Sequence, residues 1–357
     1  MAASIPHDDI ARVVHRAFGA STVARTIEPL AGDASSRRYL RVRLDGGGPA
    51  TAVVMVLAEG PFAGADELGG AAPAAAELPF VAMARYLARH GLRVPAIYED
   101  ASRECGLVLL EDIGDTTLWA AAAREPARAA TLFADAVDLL VALQVAGARD
   151  PDPACPAFAR RFDVALASAE IEHFVDHGIE TRHGIRLSAD ERAAILDAFA
   201  PCVRPFADGP FDLSHRDYMA WNIHWHDGGL VLIDFQDALL APDTFDLAQL
   251  LTDRITSTLL GAGDVAALSA QFARRRAEAG LPLAPGFADR YERCVLQHAL
   301  KVIGRFHQLE LVKGKRGYLA YLPAVYAVAR RALAALPDCR RGAELVARWV
   351  PELAEAA

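Results

Sequence analysis

The side chains best suited to chemistry cluster in residues 211–251, FDLSHRDYMAWNIHWHDGGLVLIDFQDALLAPDTFDLAQLL. His215-Arg216-Asp217 precedes Asn222 in the pattern His-Arg-Asp-x-x-x-x-Asn, and Asp234 follows Asp217 by seventeen residues. Phosphoryl transfer asks a protein for positioning and charge neutralisation rather than covalent chemistry. One carboxylate must sit beside the attacking hydroxyl, and a second carboxylate with an amide oxygen must hold Mg²⁺ against phosphates. Asp217, Asn222 and Asp234 supply that donor set. Asp227-Gly228-Gly229 is a hairpin turn, and the apolar run Leu230–Ile233 ends on Asp234. A loop followed by a hairpin would bring the three side chains to one mouth. An acid at the end of an apolar strand is costly unless paired or metal-bound, which counts against a solvated polar loop.

The elements that must position these residues divide the chain in two. Ile10, Val13, Val14, Ala17 and Phe18 share a helical face. Residues 26–30, 37–44, 51–57, 94–99 and 107–110 have strand character, with Asp45-Gly46-Gly47-Gly48-Pro49 as a hairpin turn. The run TAVVMVL (51–57) is almost continuously apolar, as in a central strand. A helix is predicted from Leu78 to His90, closed by Gly91. After Glu111-Asp112-Ile113-Gly114-Asp115 the pattern becomes helical, at 118–147, 158–182, 188–203 and from 243 onward, interrupted only by the polar segment 211–237. The prediction is an α+β chain: a small β-rich lobe over residues 1–112 and a mostly helical lobe over 113–357.

The chain has 357 residues, 53% hydrophobic, with a formal net charge of -9. That balance disfavours nucleic acid, whose phosphates call for a basic face. No apolar stretch free of charges or breakers reaches transmembrane length, and the N-terminus lacks an apolar signal core, so no membrane association is expected. The five cysteines are dispersed without a Cys-x-x-Cys pair, which fits reduced thiols in the cytoplasm rather than zinc or disulfides.

The segment around Asp217 resembles the aminoglycoside phosphotransferase and choline kinase superfamily, in which the second metal motif is often Ile-Asp. The resemblance implies a protein-kinase-like two-lobe fold with an antiparallel-sheet N-lobe. It implies Asp217 as catalytic base, with Arg216 beside it and His215 bracing the loop. Asn222 and Asp234 would be Mg²⁺ ligands, and Asp246 an acid that caps the catalytic-loop backbone from a helix. A closer resemblance spans most of the chain and is to the anomeric amino-sugar kinases of bacterial cell-wall recycling. They phosphorylate N-acetylmuramate and N-acetylglucosamine at the 1-hydroxyl. It is carried by GDASSRRYLRV (32–42), FVAMARYLARHGLRVP (80–95), LLEDIGD (109–115), SHRDY (214–218), IDFQDAL (233–239), FDLAQLLTDR (245–254), HALKVIGRFHQL (298–309) and GYLAYLP (317–323). It implies ATP with Mg²⁺, a small sugar substrate and a cytoplasmic enzyme, expected to be a monomer. Met219-Ala220-Trp221 departs from the more polar residues expected there. Trp221 could stack on a sugar face, but an aminoglycoside, a choline-like amine or another metabolite stays open as acceptor.

On the nucleotide side, kinases of this fold carry a lysine on the third strand. Here Met55 takes that position, and no lysine precedes Lys301. A non-catalytic pseudokinase is therefore a competing reading, against which the intact Asp217, Asn222 and Asp234 stand. Arg37 and Arg38 are the candidate replacement cations, after a turn whose Ser35 and Ser36 would cover phosphate. Glu111 and Ile113 lie where an interlobe hinge would meet adenine. Glu170, Asp253 and Arg254 are candidate sugar contacts by resemblance and position. His298, Lys301 and Arg305 share a helical face that could meet an anionic group.

Overall fold

The computed structural model describes residues 6–30, 37–57 and 77–354. The chain divides into two compact units, one of residues 1–115 with 224–237, the other of residues 116–223 with 238–357.

The first unit is built on a sheet in the order β1-β2-β3-β5-β4, with β1 Val23–Pro29, β2 Arg38–Asp45, β3 Thr51–Val56, β4 Ile97–Ala101 and β5 Leu107–Glu111. All four pairings are antiparallel. The TAVVMVL run is indeed the middle strand, held between β2 and β5 and buried along nearly its whole length. Alternation in β2 sends Leu40, Val42 and Leu44 inward, where they meet Ile10, Val13 and Val14 of helix α1 (His7–Phe18). Gly46 in the β2–β3 turn has φ +111, and a Cβ there would come within 2.4 Å of the Ser21 carbonyl oxygen, so only glycine fits.

Helix α2 (Pro79–Arg89) starts with proline at its first position, where the missing N–H costs nothing. Its Phe80 ring stacks on Phe235 with centroids 4.9 Å apart. That contact, worth about 1 kcal/mol beyond burial, ties down the chain directly after Asp234. The hairpin of β7 (Ile223–His226) and β8 (Gly229–Leu232) turns through Asp227 and Gly228, both at positive φ, as a tight two-residue hairpin requires.

The second unit is helical apart from β6 (Phe211–Ser214), which pairs antiparallel with β9 (Leu239–Pro242). Its helices of about two turns or more are α3 Leu118–Arg124, α4 Ala129–Arg149, α5 Val164–His173, α6 Ala189–Val203, α7 Phe245–Thr252, α8 Ala262–Glu278, α9 Phe287–His307, α10 Leu322–Ala335 and α11 Arg340–Val346. The expected helix at 118–147 is split by a turn at Pro126–Arg128. The one expected at 158–182 begins only after Asp163, whose side chain accepts from the Leu166 N–H, and its end widens into a π-helix over Phe174–Thr181. Ser188 and Glu191 form a capping box on α6.

The segment Pro126–Arg149 is long and apolar enough to cross a bilayer, but its inner face is core: Leu132, Phe133, Val137, Leu140 and Leu143 are buried, and Asp138 pairs with Arg275 of α8 at 2.7 Å. Helix α9 runs through the middle of the unit against α5, α7 and α10. At Gly304 it approaches the His173 backbone so closely that a Cβ would lie 2.7 Å from that carbonyl oxygen.

Candidate active site

Asp217 follows β6 on a loop whose backbone is fixed from α7. The Asp246 carboxylate accepts from Ser214 Oγ at 2.8 Å, from the His215 N–H at 2.7 Å and from the Arg216 N–H at 3.1 Å. Gln249, one turn along the same helix, accepts from the Tyr218 N–H at 2.8 Å and donates from Nε2 to the Arg216 carbonyl at 2.6 Å. Arg216 has φ +76. A non-glycine residue in that region costs on the order of 1–3 kcal/mol and persists only when its surroundings over-determine it. Here both backbone polar groups of Arg216 are claimed by α7. Sequence reading singled out Asp246 but missed Gln249. The available signal was a second polar residue three positions on in an otherwise apolar helix.

Arg216 and Lys301 bring positive charge to Asp217. Glu170 is fully buried and takes Lys301 Nζ at 3.1 Å, Gln297 Nε2 at 2.7 Å and Arg216 Nη2 at 3.6 Å. Its Oε2 is thus taken by Gln297, while Oε1 faces the two cations without a hydrogen bond. Burial works to raise the Asp217 carboxyl, but the positive charges of Lys301 and Arg216 foremost outweigh it and hold it below the usual carboxylate range. Asp217 is therefore an anion throughout the neutral range. His215 is buried, edge-on to Tyr218 with centroids 5.7 Å apart, and the Tyr218 hydroxyl donates to the Ala136 carbonyl at 2.7 Å.

Asn222 donates from Nδ2 to the Asp217 carbonyl at 2.9 Å, which closes the loop and turns its amide oxygen away as an acceptor. That leaves it suited to a hard cation, which takes oxygen donors and needs only one or two protein ligands when phosphates supply others. Among the described residues there is no cluster of three or more His, Cys, Asp or Glu that could hold a metal by itself.

Asp234 lies in the first unit. It is exposed, has φ +61 and accepts from Gln236 Nε2 at 2.7 Å. The apolar run Leu230–Ile233 predicts an acid at the very end of a strand. Strand β8 instead ends at Leu232, and the burial falls on Phe235. Close by, the Tyr39 hydroxyl is hydrogen-bonded to Arg37 and feels the Asp234 charge; burial drives its pKa up. Arg37 is thus on the same side of the sheet as Asp234, and Met55, the cross-strand partner of Tyr39, is fully buried. Arg38 opens β2 opposite Val56. Ser35 and Ser36 lie outside the described residues.

The segment after β5 is pinned by Arg41, whose guanidinium donates to both oxygens of Asp112 at 2.8 and 2.9 Å and to both of Asp115 at 2.8 and 2.9 Å. These bonds hold both carboxyls below their ordinary range against the burial of Asp112. Glu111 spends its N–H on the Ala96 carbonyl and accepts from the Ala96 N–H, while Ile113 is buried just beyond the strand.

Trp221 is half-buried. It stacks on Trp119 at 4.8 Å, and the Arg254 guanidinium lies over it at 5.3 Å. Phe306 and Tyr321 also face Arg254, at 5.3 and 5.0 Å. Asp253 is buried and its Oδ1 accepts the Arg254 N–H at 2.7 Å. Of the helical triplet, Lys301 turns to Glu170, Arg305 donates to Gln308 at 2.7 Å, and His298 is buried beside Asp217. A larger cavity of about 590 Å³ lies at the C-terminal end of α9, lined by Arg182, His307, Leu319, Tyr326 and Glu352. It holds none of His215, Arg216, Asp217, Asn222, Asp234 and Asp246, and Arg182 there is already bonded to Glu352 and Tyr326.

The profile of the Phosphotransferase enzyme family matches residues 26–283. The N-acetylmuramate/N-acetylglucosamine kinase of Pseudomonas aeruginosa is 31% identical over 332 residues, covering 92% of this chain and 89% of that protein. Among solved structures, a putative aminoglycoside phosphotransferase from Ralstonia eutropha JMP134 aligns with a TM-score of 0.57 at 12% identity, covering 96% of this chain and 98% of that one. A spectinomycin phosphotransferase in complex with ADP and spectinomycin aligns at 0.57 and 12%, covering 93% and 99%. At such identities the likeness is one of fold, the protein-kinase-like fold of aminoglycoside phosphotransferases and choline kinases.

Proposed function

The chain belongs to the Phosphotransferase enzyme family, and we propose that it is an ATP-dependent kinase for the anomeric hydroxyl of an amino sugar of the N-acetylglucosamine or N-acetylmuramate type. The observation that carries the reading is Asp217, an ionised carboxylate on a loop held rigid by Asp246 and Gln249. The curated relative's name supports the choice of sugar.

In this reading Asp217 accepts the hydrogen bond of the sugar hydroxyl and orients its oxygen for attack. A low carboxyl pKa suits that task, because a loose transition state needs alignment more than early proton removal. Arg216 and Lys301 keep Asp217 charged, and Glu170 keeps both cations in place. By motif, Asn222 and Asp234 would hold Mg²⁺, which supplies charge neutralisation at the phosphates. Arg37 stands in for the strand lysine, with Arg38, Ser35 and Ser36 beside it in sequence. The backbone around Glu111 and Ile113 would receive adenine, with Ile113 offering the N–H that Glu111 has already spent. Trp221 and Asp253 belong to the sugar side. Free cysteines fit a reducing compartment, so we assign the enzyme to the cytoplasm, acting as a monomer in peptidoglycan recycling.

A second reading keeps the chemistry and changes the acceptor to another metabolite. The apolar Met219-Ala220-Trp221 stretch favours it. Phosphorus NMR of a reaction with MgATP and N-acetylglucosamine decides: the proposal expects an acid-labile 1-phosphate. A 6-phosphate, or turnover only with an aminoglycoside or choline-like amine, sinks it. Turnover unaffected by Asp217→Ala would remove the mechanism, and no nucleotide hydrolysis with any acceptor would favour a pseudokinase.

A further inference from the structure

Two segments of the second unit wind as π-helices, Phe174–Thr181 and Gln308–Val312. This wider winding is rare and occurs frequently at functional sites. Both segments run into one cavity: Arg182 directly follows the first, and Leu311 lies in the second. The cavity measures about 590 Å³, within the ordinary range of small-molecule sites. None of the residues given a catalytic, metal or sugar role above lines it.

Most of its polar wall is already paired. Arg182 donates to Glu352 Oε1 at 2.6 Å and Oε2 at 3.3 Å, and to the Tyr326 hydroxyl at 2.9 Å. Burial lowers His307 from its ordinary value, so it adds no charge at neutral pH. Arg330 differs. It follows Tyr326 by one turn of α10, is half-buried, and donates from Nη1 to the Glu352 main-chain carbonyl at 2.8 Å. Among the described residues no carboxylate pairs with it. Its Nε is enclosed without a partner, whereas Nη2 is equally unpartnered but is not enclosed. The wall therefore carries two guanidiniums against the single carboxylate of Glu352. A partly desolvated cation without a counter-ion is costly and calls for an anion. The rest of the lining is apolar: Leu319, Leu322 and Pro323, with Leu311 half in water at 50% exposure.

We propose that this cavity is a second ligand site, for a small monoanion with an apolar body, of the carboxylate class. Arg330 meets the carboxylate through Nη2, and the apolar body lies along Leu311, Leu319 and Leu322. One unbalanced positive charge matches one carboxylate. A phosphate dianion would leave excess negative charge beside Glu352, and a cationic ligand would face both guanidiniums. The inference stands apart from the kinase reading and uses none of its residues.

Sodium octanoate, octan-1-ol and sodium acetate, titrated calorimetrically into the full chain, test it. The expected result is saturable binding of octanoate. It should be at least about tenfold tighter than octanol, which lacks the charge, and at least about a hundredfold tighter than acetate, which lacks the chain. Arg330→Met and, separately, Leu311→Asp, each checked for native circular dichroism, should weaken octanoate at least about tenfold. Arg330→Lys, which keeps the charge, should lose less than Arg330→Met. Position 311 is exposed, so its substitution spares the core. No saturable binding of octanoate overturns the inference, as a cavity holding only water would give. So does octanol binding as tightly as octanoate, or an octanoate affinity unchanged in both Arg330→Met and Leu311→Asp, which would put the ligand elsewhere.

Discussion

Asp246 and Gln249 stand one turn apart on α7 and divide the catalytic-loop backbone between them. Asp246 takes the N–H groups of His215 and Arg216, and Gln249 takes the Arg216 carbonyl and the Tyr218 N–H. The left-handed conformation at Arg216 is thereby imposed from outside the loop. Asp246→Ala strands the buried His215 N–H and the Ser214 hydroxyl, and leaves the Arg216 N–H only Ser214 Oγ. It should cost on the order of 2–4 kcal/mol in urea denaturation. Gln249→Leu should cost about 1–3 kcal/mol. Because both act on Arg216, the double variant should lose less than the sum; strict additivity would show that they do not share the loop.

Asp217→Asn keeps shape and removes charge. The expected outcome is a kcat lower by about 10²- to 10⁴-fold with nucleotide affinity unchanged. Full activity in a coupled ADP assay would show that the carboxylate is not the hydroxyl's partner.

Arg37 lies on the Asp234 side of the sheet, and the proposed function gives it the role of the missing lysine. Arg37→Ala should raise KM for ATP at least about tenfold with little change in the KM for sugar. Met55→Lys should not improve ATP use. It places an ammonium at a fully buried position between Tyr39 and Val108 and should destabilise the fold by several kcal/mol. Tighter ATP binding in Met55→Lys would contradict this.

Two buried histidines set an acid limit on stability. Burial, the largest cause for each, lowers His298 to about 3 and His173 to about 4. Both folded values lie below the unfolded value near 6.5, so between them the unfolded chain binds protons that the folded chain refuses. Stability is complete above about pH 6.5 and should fall by about 1.4 kcal/mol per pH unit for each histidine as pH drops. Asp217, depressed below the ordinary carboxylate value, contributes stability that is lost only at more acid pH. Denaturation curves at pH 7.5, 6 and 5 should show the decline, and His298→Gln with His173→Gln should flatten it. An unchanged slope in the double variant would exclude these two groups.

Gly304→Ala tests the packing of α9 on the chain around His173. The added methyl would lie 2.7 Å from the His173 carbonyl oxygen and 2.8 Å from Phe174 Cα, both backbone atoms that cannot swing away. The melting temperature should fall, with a cost of about 1–3 kcal/mol. No change would mean that the helices separate there at little cost.

The sequence by itself determines the features whose signal is local. Alternation along Arg38–Asp45 and the apolar run Thr51–Val56 predict the sheet, because a strand's two faces repeat every second residue. The spacing of Asp217, Asn222, Asp234 and Asp246 points to phosphoryl transfer, because motif residues lie close along the chain. Burial and pairing were not legible, because they arise through space. Glu170 reads as a candidate sugar contact, yet it is enclosed by Gln297 and Lys301, more than a hundred residues away. Asp234 reads as a buried acid, yet it is exposed while its neighbour Phe235 stacks on Phe80. Trp221 and Arg254 become a stacked pair only when α7 is packed against the catalytic loop. Charge type is written in the sequence. Whether a charge is desolvated, and which group answers it, depends on neighbours that only the tertiary structure supplies.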